Sequence, residues 1–135
     1  MNRHEFAAIR RYLDKTQSQV AGLLGTSLKA VQSFEQGWRK VPVHIERQIL
    51  FILAQSYSLL SGRRQNCWSA RSCPKQNRAK CPAWEFKLGH LCWFVNGTIC
   101  HGEEQESWEK KMKTCRKCDV FNSMVPEFLS TPAFR

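Results

Sequence analysis

All seven cysteines of this chain lie between residues 67 and 118, and none occurs in the first 66. That asymmetry divides the chain into two stretches that must fold by different means. With 135 residues there is room for one ordinary domain or two small ones. A piece of about 60–75 residues buries only a small core and often needs a metal or disulfide staple. An odd number of thiols argues against a simple disulfide framework, and clustered cysteines in a reducing compartment point to metal or redox chemistry. The sequence therefore reads as mainly α: a helical domain over 1–62 of four to five helices, then a small irregular, metal-stapled module over 63–135, with Ser61-Gly62-Arg63-Arg64 as hinge.

In the first stretch the punctuation is helical. Phe6, Ile9, Tyr12 and Leu13 recur at helical spacing. Thr16 suits the N-cap of a helix over Gln17–Leu24, with Gln19 three residues on as its capping-box partner and Gly25 as its end. Ser27 suits the cap of Leu28–Gln36, closed by Gly37. Pro42 suits the start of a fourth helix from Val43 to about Leu60.

Two short helices joined by a tight glycine turn are the helix-turn-helix, which places its second helix in the major groove of DNA. Here Val20, Ala21 and Leu24 form the inner face of the first helix, and Val31 and Phe34 that of the second. Leu28, Lys29, Gln32, Ser33 and Gln36 are left facing outward, with no acid between Ser27 and Ser33. The stretch TQSQVAGLLGTSLKAVQSFEQGWRKVP resembles the phage Cro/repressor-type family of helix-turn-helix regulators over about residues 5 to 60. The matching positions are Thr16-Gln17, Val20-Ala21, Leu24-Gly25, Ser27, Val31, Phe34-Glu35, Gly37, Arg39 and Pro42. The resemblance implies sequence-specific binding of double-stranded DNA, as a homodimer reading paired half-sites. It puts Gln17 and the turn after Gly37 on phosphates, and Thr16, Arg39 and Lys40 among the DNA-binding residues. Leu28, Lys29, Gln32 and Ser33 are put at base edges, with Ser27 and Gln36 at the ends of the reading helix. Gln32 suits adenine, Lys29 guanine, and Leu28 a thymine methyl. Glu35 is expected to be structural. Ile45, Ile49, Ile52, Leu53 and Leu60 on the fourth helix would form either the dimer interface or the domain's own core.

The second stretch has little clean periodicity. Trp84–Leu88 and Leu91–Val95 are short apolar runs, and Glu103–Lys113 reads as a helix with Glu106 and Lys110 paired four residues apart. The cysteines run Cys67-x5-Cys73-x7-Cys81-x10-Cys92-x7-Cys100-x14-Cys115-x2-Cys118. A zinc ribbon normally brings two CxxC knuckles, and only Cys115–Cys118 has that spacing. Iron–sulfur clusters accept scattered cysteines, since each iron takes one thiolate, and the pairs Cys73-Pro74 and Cys81-Pro82 also suit cluster ligands. The reading is a [4Fe–4S]-type cluster drawn from these seven cysteines, with zinc as the alternative and His90 or His101 as an eighth donor. Trp68, Trp84, Trp93 and Trp108 read as the module's core rather than as a shield for the cofactor. The arrangement NCW…C…CPA…CW…GTIC…CRKCDVF resembles the "two-CW" cysteine-rich module, covering residues 66 to about 121. That module often accompanies signalling domains, so the resemblance implies a sensory or metal-binding role.

Charge and the absence of other motifs narrow the function. The net charge is +10, with a pI near 9.6, which favours a polyanionic partner. From Arg63 to Lys80 six basic residues occur with no acid among them. The longest apolar run, Ile49–Ala54, is far short of the about 20 residues that span a bilayer. The N-terminus lacks the apolar core of a signal peptide, so no membrane partner and a cytoplasmic location are expected. No Ser/His/Asp constellation, Walker loop or GxGxxG occurs. The expectation is a regulator, not an enzyme, whose cysteine half senses redox state, oxygen or metal. The alternatives are a DNA-binding regulator with purely structural zinc, and an electron-transfer protein.

Overall fold

The computed structural model describes residues 1–62, 66–70 and 72–129. The described chain is mainly α-helical and forms two compact units, Met1–Ser56 and Tyr57–Ser130 apart from their undescribed residues. The division falls inside a helix, six residues before the boundary read from the sequence, because the helix that begins at Val43 runs on to Ser61. Of the expected hinge, Arg63 and Arg64 lie outside the described residues.

The first unit contains α1 (Arg3–Tyr12), α2 (Gln17–Leu24), α3 (Leu28–Gln36) and most of α4 (Val43–Ser61). Each of the first three starts at a side-chain cap. Asn2 accepts from the Glu5 N–H at 2.9 Å, Thr16 from Gln19 at 3.1 Å, and Ser27 from Ala30 at 3.0 Å. Gln19 returns a bond to the Thr16 N–H at 2.9 Å, completing the capping box. Gly25 ends α2 at φ +66°, a left-handed conformation that glycine adopts without a Cβ penalty. These local devices set the helix limits before any packing.

Packing then turns one face of each helix inward. Phe6, Ile9, Val20, Leu24, Val31 and Phe34 are buried with Ile45, Ile49, Leu50 and Leu53 of α4. Phe6 meets Phe34 edge-on, with ring centroids 5.6 Å apart. Each such side chain contributes about 1.5–3 kcal/mol by leaving water. Ile45, Ile49 and Leu53 are therefore committed to the unit's own core, while Ile52 is half-buried and Leu60 exposed.

The second unit is built from short pieces: α5 (Cys67–Ala70), α6 (Lys75–Arg78), α7 (Pro82–Glu85), a 3-10 turn (Cys92–Phe94), β1 (Thr98–Cys100), β2 (Glu103–Gln105), α8 (Trp108–Cys115), α9 (Asp119–Met124) and a 3-10 turn (Glu127–Leu129). β1 and β2 pair antiparallel, Thr98 opposite Gln105 and Cys100 opposite Glu103. The helix expected over Glu103–Lys113 is thus only partly correct. His101 and Gly102 both have positive φ, as a two-residue hairpin turn requires, and this diverts Glu103–Gln105 into a strand. Ser107 then caps α8 by accepting from the Lys110 N–H at 3.2 Å. Glu106 and Lys110 do meet at 3.3 Å, but across the cap and on the surface. The core gathers Trp93, Phe121, Val120, Met124 and Leu129, with the thiols of Cys81, Cys92 and Cys115. Trp93 packs edge-on against Phe121 at 5.8 Å.

Val31 is 0 % exposed on the inner face of α3. Val31→Asp places a carboxylate there without a partner and should cost the first unit about 3–5 kcal/mol. Far-UV circular dichroism on heating checks this, and an unaltered melting transition would place Val31 outside the core.

Candidate nucleic-acid interface and candidate metal centre

The outer side of the first unit is decided by what its inner side binds. The Glu35 carboxylate on α3 forms a two-pronged pair with the Arg10 guanidinium of α1, one contact being 3.2 Å. It also accepts from the Gln17 carboxamide of α2 at 2.6 Å. Arg10 further donates to the Lys15 carbonyl at 3.0 Å. Three helices are thereby clasped on one side chain, and α3 packs against both α1 and α2.

Leu28, Lys29, Gln32 and Gln36 are exposed on α3. Ser33 is half-buried, and its hydroxyl donates to the Lys29 carbonyl at 2.9 Å, one turn back. Thr16 and Ser27 are exposed and serve as the caps of α2 and α3. Gln17, expected at a phosphate, has its carboxamide engaged by Glu35, so its side chain serves the helix junction. Arg39 and Lys40 are exposed beyond α3, with the Arg39 guanidinium 5.4 Å from the Phe34 ring. Between them and the helix stands Trp38, 81 % exposed, which the sequence reading passed over. The exposed face thus carries Lys29, Arg39 and Lys40 with polar Gln32 and Gln36, and also the apolar Leu28 and Trp38.

In the second unit the scattered cysteines converge. Cys67, Cys73, Cys92, Cys100, Cys115 and Cys118 line one cavity of about 380 Å³, together with Thr114 and Phe121. Cys81 lines a smaller cavity of about 30 Å³ that shares Cys67, Cys73, Cys92 and Cys100 with the larger one. His101 borders the large cavity and His90 lines neither, so the hairpin turn singles out one of the two candidate histidines. Trp93 and Trp108 are buried in the core, whereas Trp68 and Trp84 stack edge-on at 4.9 Å along the smaller cavity.

Backbone groups position the thiols. The Cys67 N–H donates to the Gly89 carbonyl at 3.0 Å, and a Cβ at Gly89 would lie 2.8 Å from the Trp68 ring, so this approach requires glycine. The Ile99 N–H donates to the Cys81 sulfur at 3.5 Å. The Arg78 guanidinium donates to the Cys73 carbonyl at 3.0 Å. The electrostatics are uneven. A hydrogen bond from the Cys92 thiol brings the Cys67 thiol down to about 7 against the cost of burial. The same bond, with burial, pushes Cys92 well up. Burial pushes Cys115 up to about 12, and burial with the neighbouring sulfurs raises Cys73.

Cys67, Cys73, Cys92, Cys100, Cys115 and Cys118 are the residues of this cavity that could hold a thiolate-bound group. Among the described residues, no three His, Cys, Asp or Glu side chains are gathered tightly enough to hold one metal ion. The thiols are distributed around the cavity wall. The sequence reading missed Lys111, which is 0 % exposed. Its signal was present: Trp108, Lys111, Met112 and Cys115 share one helical face.

Comparison of the chain with protein-family models, with curated proteins and with solved structures finds no match. No helix among the described residues is long and apolar enough to cross a membrane.

Thiolate, not thiol, is alkylated. In metal-free protein, modification of Cys67 by iodoacetamide should therefore rise through about pH 7 and level off above it. Cys115 should remain unreactive until far higher pH. Cys92→Ala removes the donor and should move the Cys67 profile toward higher pH. Peptide mapping by mass spectrometry reads both, and a Cys67 profile unchanged by Cys92→Ala would remove the hydrogen bond as the cause.

Proposed function

We propose that this protein is a sequence-specific DNA-binding transcription regulator, acting as a homodimer, whose cysteine unit holds an iron–sulfur cluster. The observation that carries the DNA reading is α3 itself. It is capped at its start, buried on one face through Val31 and Phe34, and exposed through Leu28, Lys29, Gln32 and Gln36 with no acid among them. A side of that chemistry meets base edges, and Arg39 and Lys40 beyond it supply phosphate contacts. The excess positive charge of the chain acts in the same direction.

The cofactor reading rests on the cavity ringed by six cysteines. Cys67, Cys73, Cys92, Cys100, Cys115 and Cys118 are the residues that would hold the cluster, with Cys81 alongside. When bound, such a cluster supplies an oxidisable group whose state depends on oxygen and reductant. This chain's own residues line the cavity with Phe121, hold the thiols in place by backbone hydrogen bonds, and would tie the order of the unit to occupancy, since ligands on short elements hold no fixed site alone. A zinc-stapled regulator is the second reading, favoured by the Cys115–Cys118 knuckle at the end of α8.

Lys29→Ala and Gln32→Ala should each weaken binding to a selected operator by roughly 1–3 kcal/mol, or about 5–150-fold, without altering the melting transition. Fluorescence anisotropy at fixed salt measures this, and wild-type affinity in both variants would rule out α3 as the reader.

Protein purified without oxygen should be brown and carry iron and acid-labile sulfide near the ratio of one four-iron cluster. Its removal should loosen residues 66–121 more than residues 5–60 in hydrogen exchange. A colourless protein with stoichiometric zinc would replace the cluster with the second reading. A metal-free protein ordered throughout its second unit would exclude both.

A further inference from the structure

Lys111 lies at the middle of α8, fully buried, where a charge is expensive unless it is compensated. No carboxylate among the described residues pairs with it. Among the described residues, its ammonium donates to the Thr98 hydroxyl oxygen on β1 and to no other side chain. Thr98 is itself buried, and its oxygen lies 3.5 Å from the Cys100 sulfur. An ammonium can only donate, so the Thr98 oxygen accepts from it. The hydroxyl proton is then free for the Cys100 sulfur, the arrangement that suits a charged thiolate. Lys111 also acts electrostatically on Cys67, Cys92 and Cys115. One buried cation is thus joined through Thr98 to Cys100, which lines the large cavity, and no carboxylate among the described residues balances it.

Resting on the cofactor reading above, we infer that Lys111 and Thr98 are positioning residues of the cysteine centre: the Lys111 ammonium offsets the negative charge of a thiolate-bound metal group, and Thr98 relays it to Cys100. The pair acts on the group through charge and hydrogen bonding without ligating it. Two consequences have opposite signs. With the cofactor bound, the ammonium stabilises the assembly and favours the more negative, reduced state. Without it, the ammonium has one neutral hydroxyl as partner and destabilises the unit.

The test compares full-length wild type with Lys111→Met, which keeps the length and removes the charge, and with Thr98→Val, which keeps the shape and removes the hydroxyl. Each protein is loaded anaerobically with ferrous iron and sulfide. Loss of iron to a chelator, the midpoint potential in a dye-mediated titration, and the melting temperature of the metal-free form are measured. Lys111→Met should lose iron about 10–100-fold faster, with its midpoint shifted to more negative potential and its metal-free form melting higher than wild type. Thr98→Val should move iron loss and potential in the same direction by less, and it carries the test if Lys111→Met does not fold. Wild-type retention and potential in both variants would overturn the inference and leave the cofactor reading standing. A Lys111→Met protein weakened equally with and without metal would reduce Lys111 to a packing residue and overturn it too. A wild-type protein that takes up neither iron with sulfide nor zinc would overturn the cofactor reading and this inference with it.

Discussion

The carboxylate of Glu35 is where the first unit is held in register. A half-buried charge loses part of its hydration and persists in a fold only when other groups replace the water. Here Arg10 comes from α1, Gln17 from α2, and Glu35 itself from α3. Satisfying one carboxylate therefore sets how three helices cross. That crossing decides which side of α3 turns toward Phe6 and which side is left bare. Hydrophobic burial supplies most of the energy, but apolar contacts are tolerant of small rotations, whereas a two-pronged guanidinium–carboxylate pair is not. The exposed row of Leu28, Lys29, Gln32 and Gln36 is the outcome of that constraint.

The second unit solves a different problem. Its helices and strands are a few residues long, and none is stable by itself. Trp93, Phe121, Val120 and Leu129 supply a compact apolar centre, but thiols and a buried ammonium occupy space that a self-sufficient core would give to hydrocarbon. Sulfur packs adequately as a small hydrophobe, so the cysteines alone are compatible with a plain core. A buried ammonium is costlier, because the only partner among the described residues is a neutral hydroxyl. On the proposed cofactor reading, the order of this unit would depend on what its cysteines hold, and such dependence is how a local chemical event reaches the rest of a small domain.

How much of this was legible beforehand differs between the halves for a physical reason. In the first unit the limits of α2 and α3 follow from Thr16, Gly25, Ser27 and Gly37, residues whose effect is confined to one turn of chain. Such effects can be read from spacing. In the second unit the elements are fixed by distant partners. The strand at Glu103–Gln105 exists because Thr98–Cys100 is there to pair with it, and a helical reading of Glu103–Lys113 could not register that competitor. The boundary near residue 62 was placed by composition, while the compact units divide within α4, because a helix carries its own hydrogen bonds across a change of packing partner.

The sequence by itself determined the helical character of residues 1–62, the caps and turns of α2 and α3, the outward residues of α3, and the existence of a separate cysteine-rich stretch. These are consequences of local propensity and of side-chain period, which any short segment carries within itself. Only the tertiary structure decided that Gln17 turns inward to Glu35, that Ile45, Ile49 and Leu53 belong to the core, that His101 and not His90 borders the cavity, and that Lys111 meets Thr98 beside the Cys100 sulfur. Each of these is a choice between burial and solvent made by groups remote in sequence. Such a choice depends on which surfaces meet, and no spacing along the chain encodes that directly.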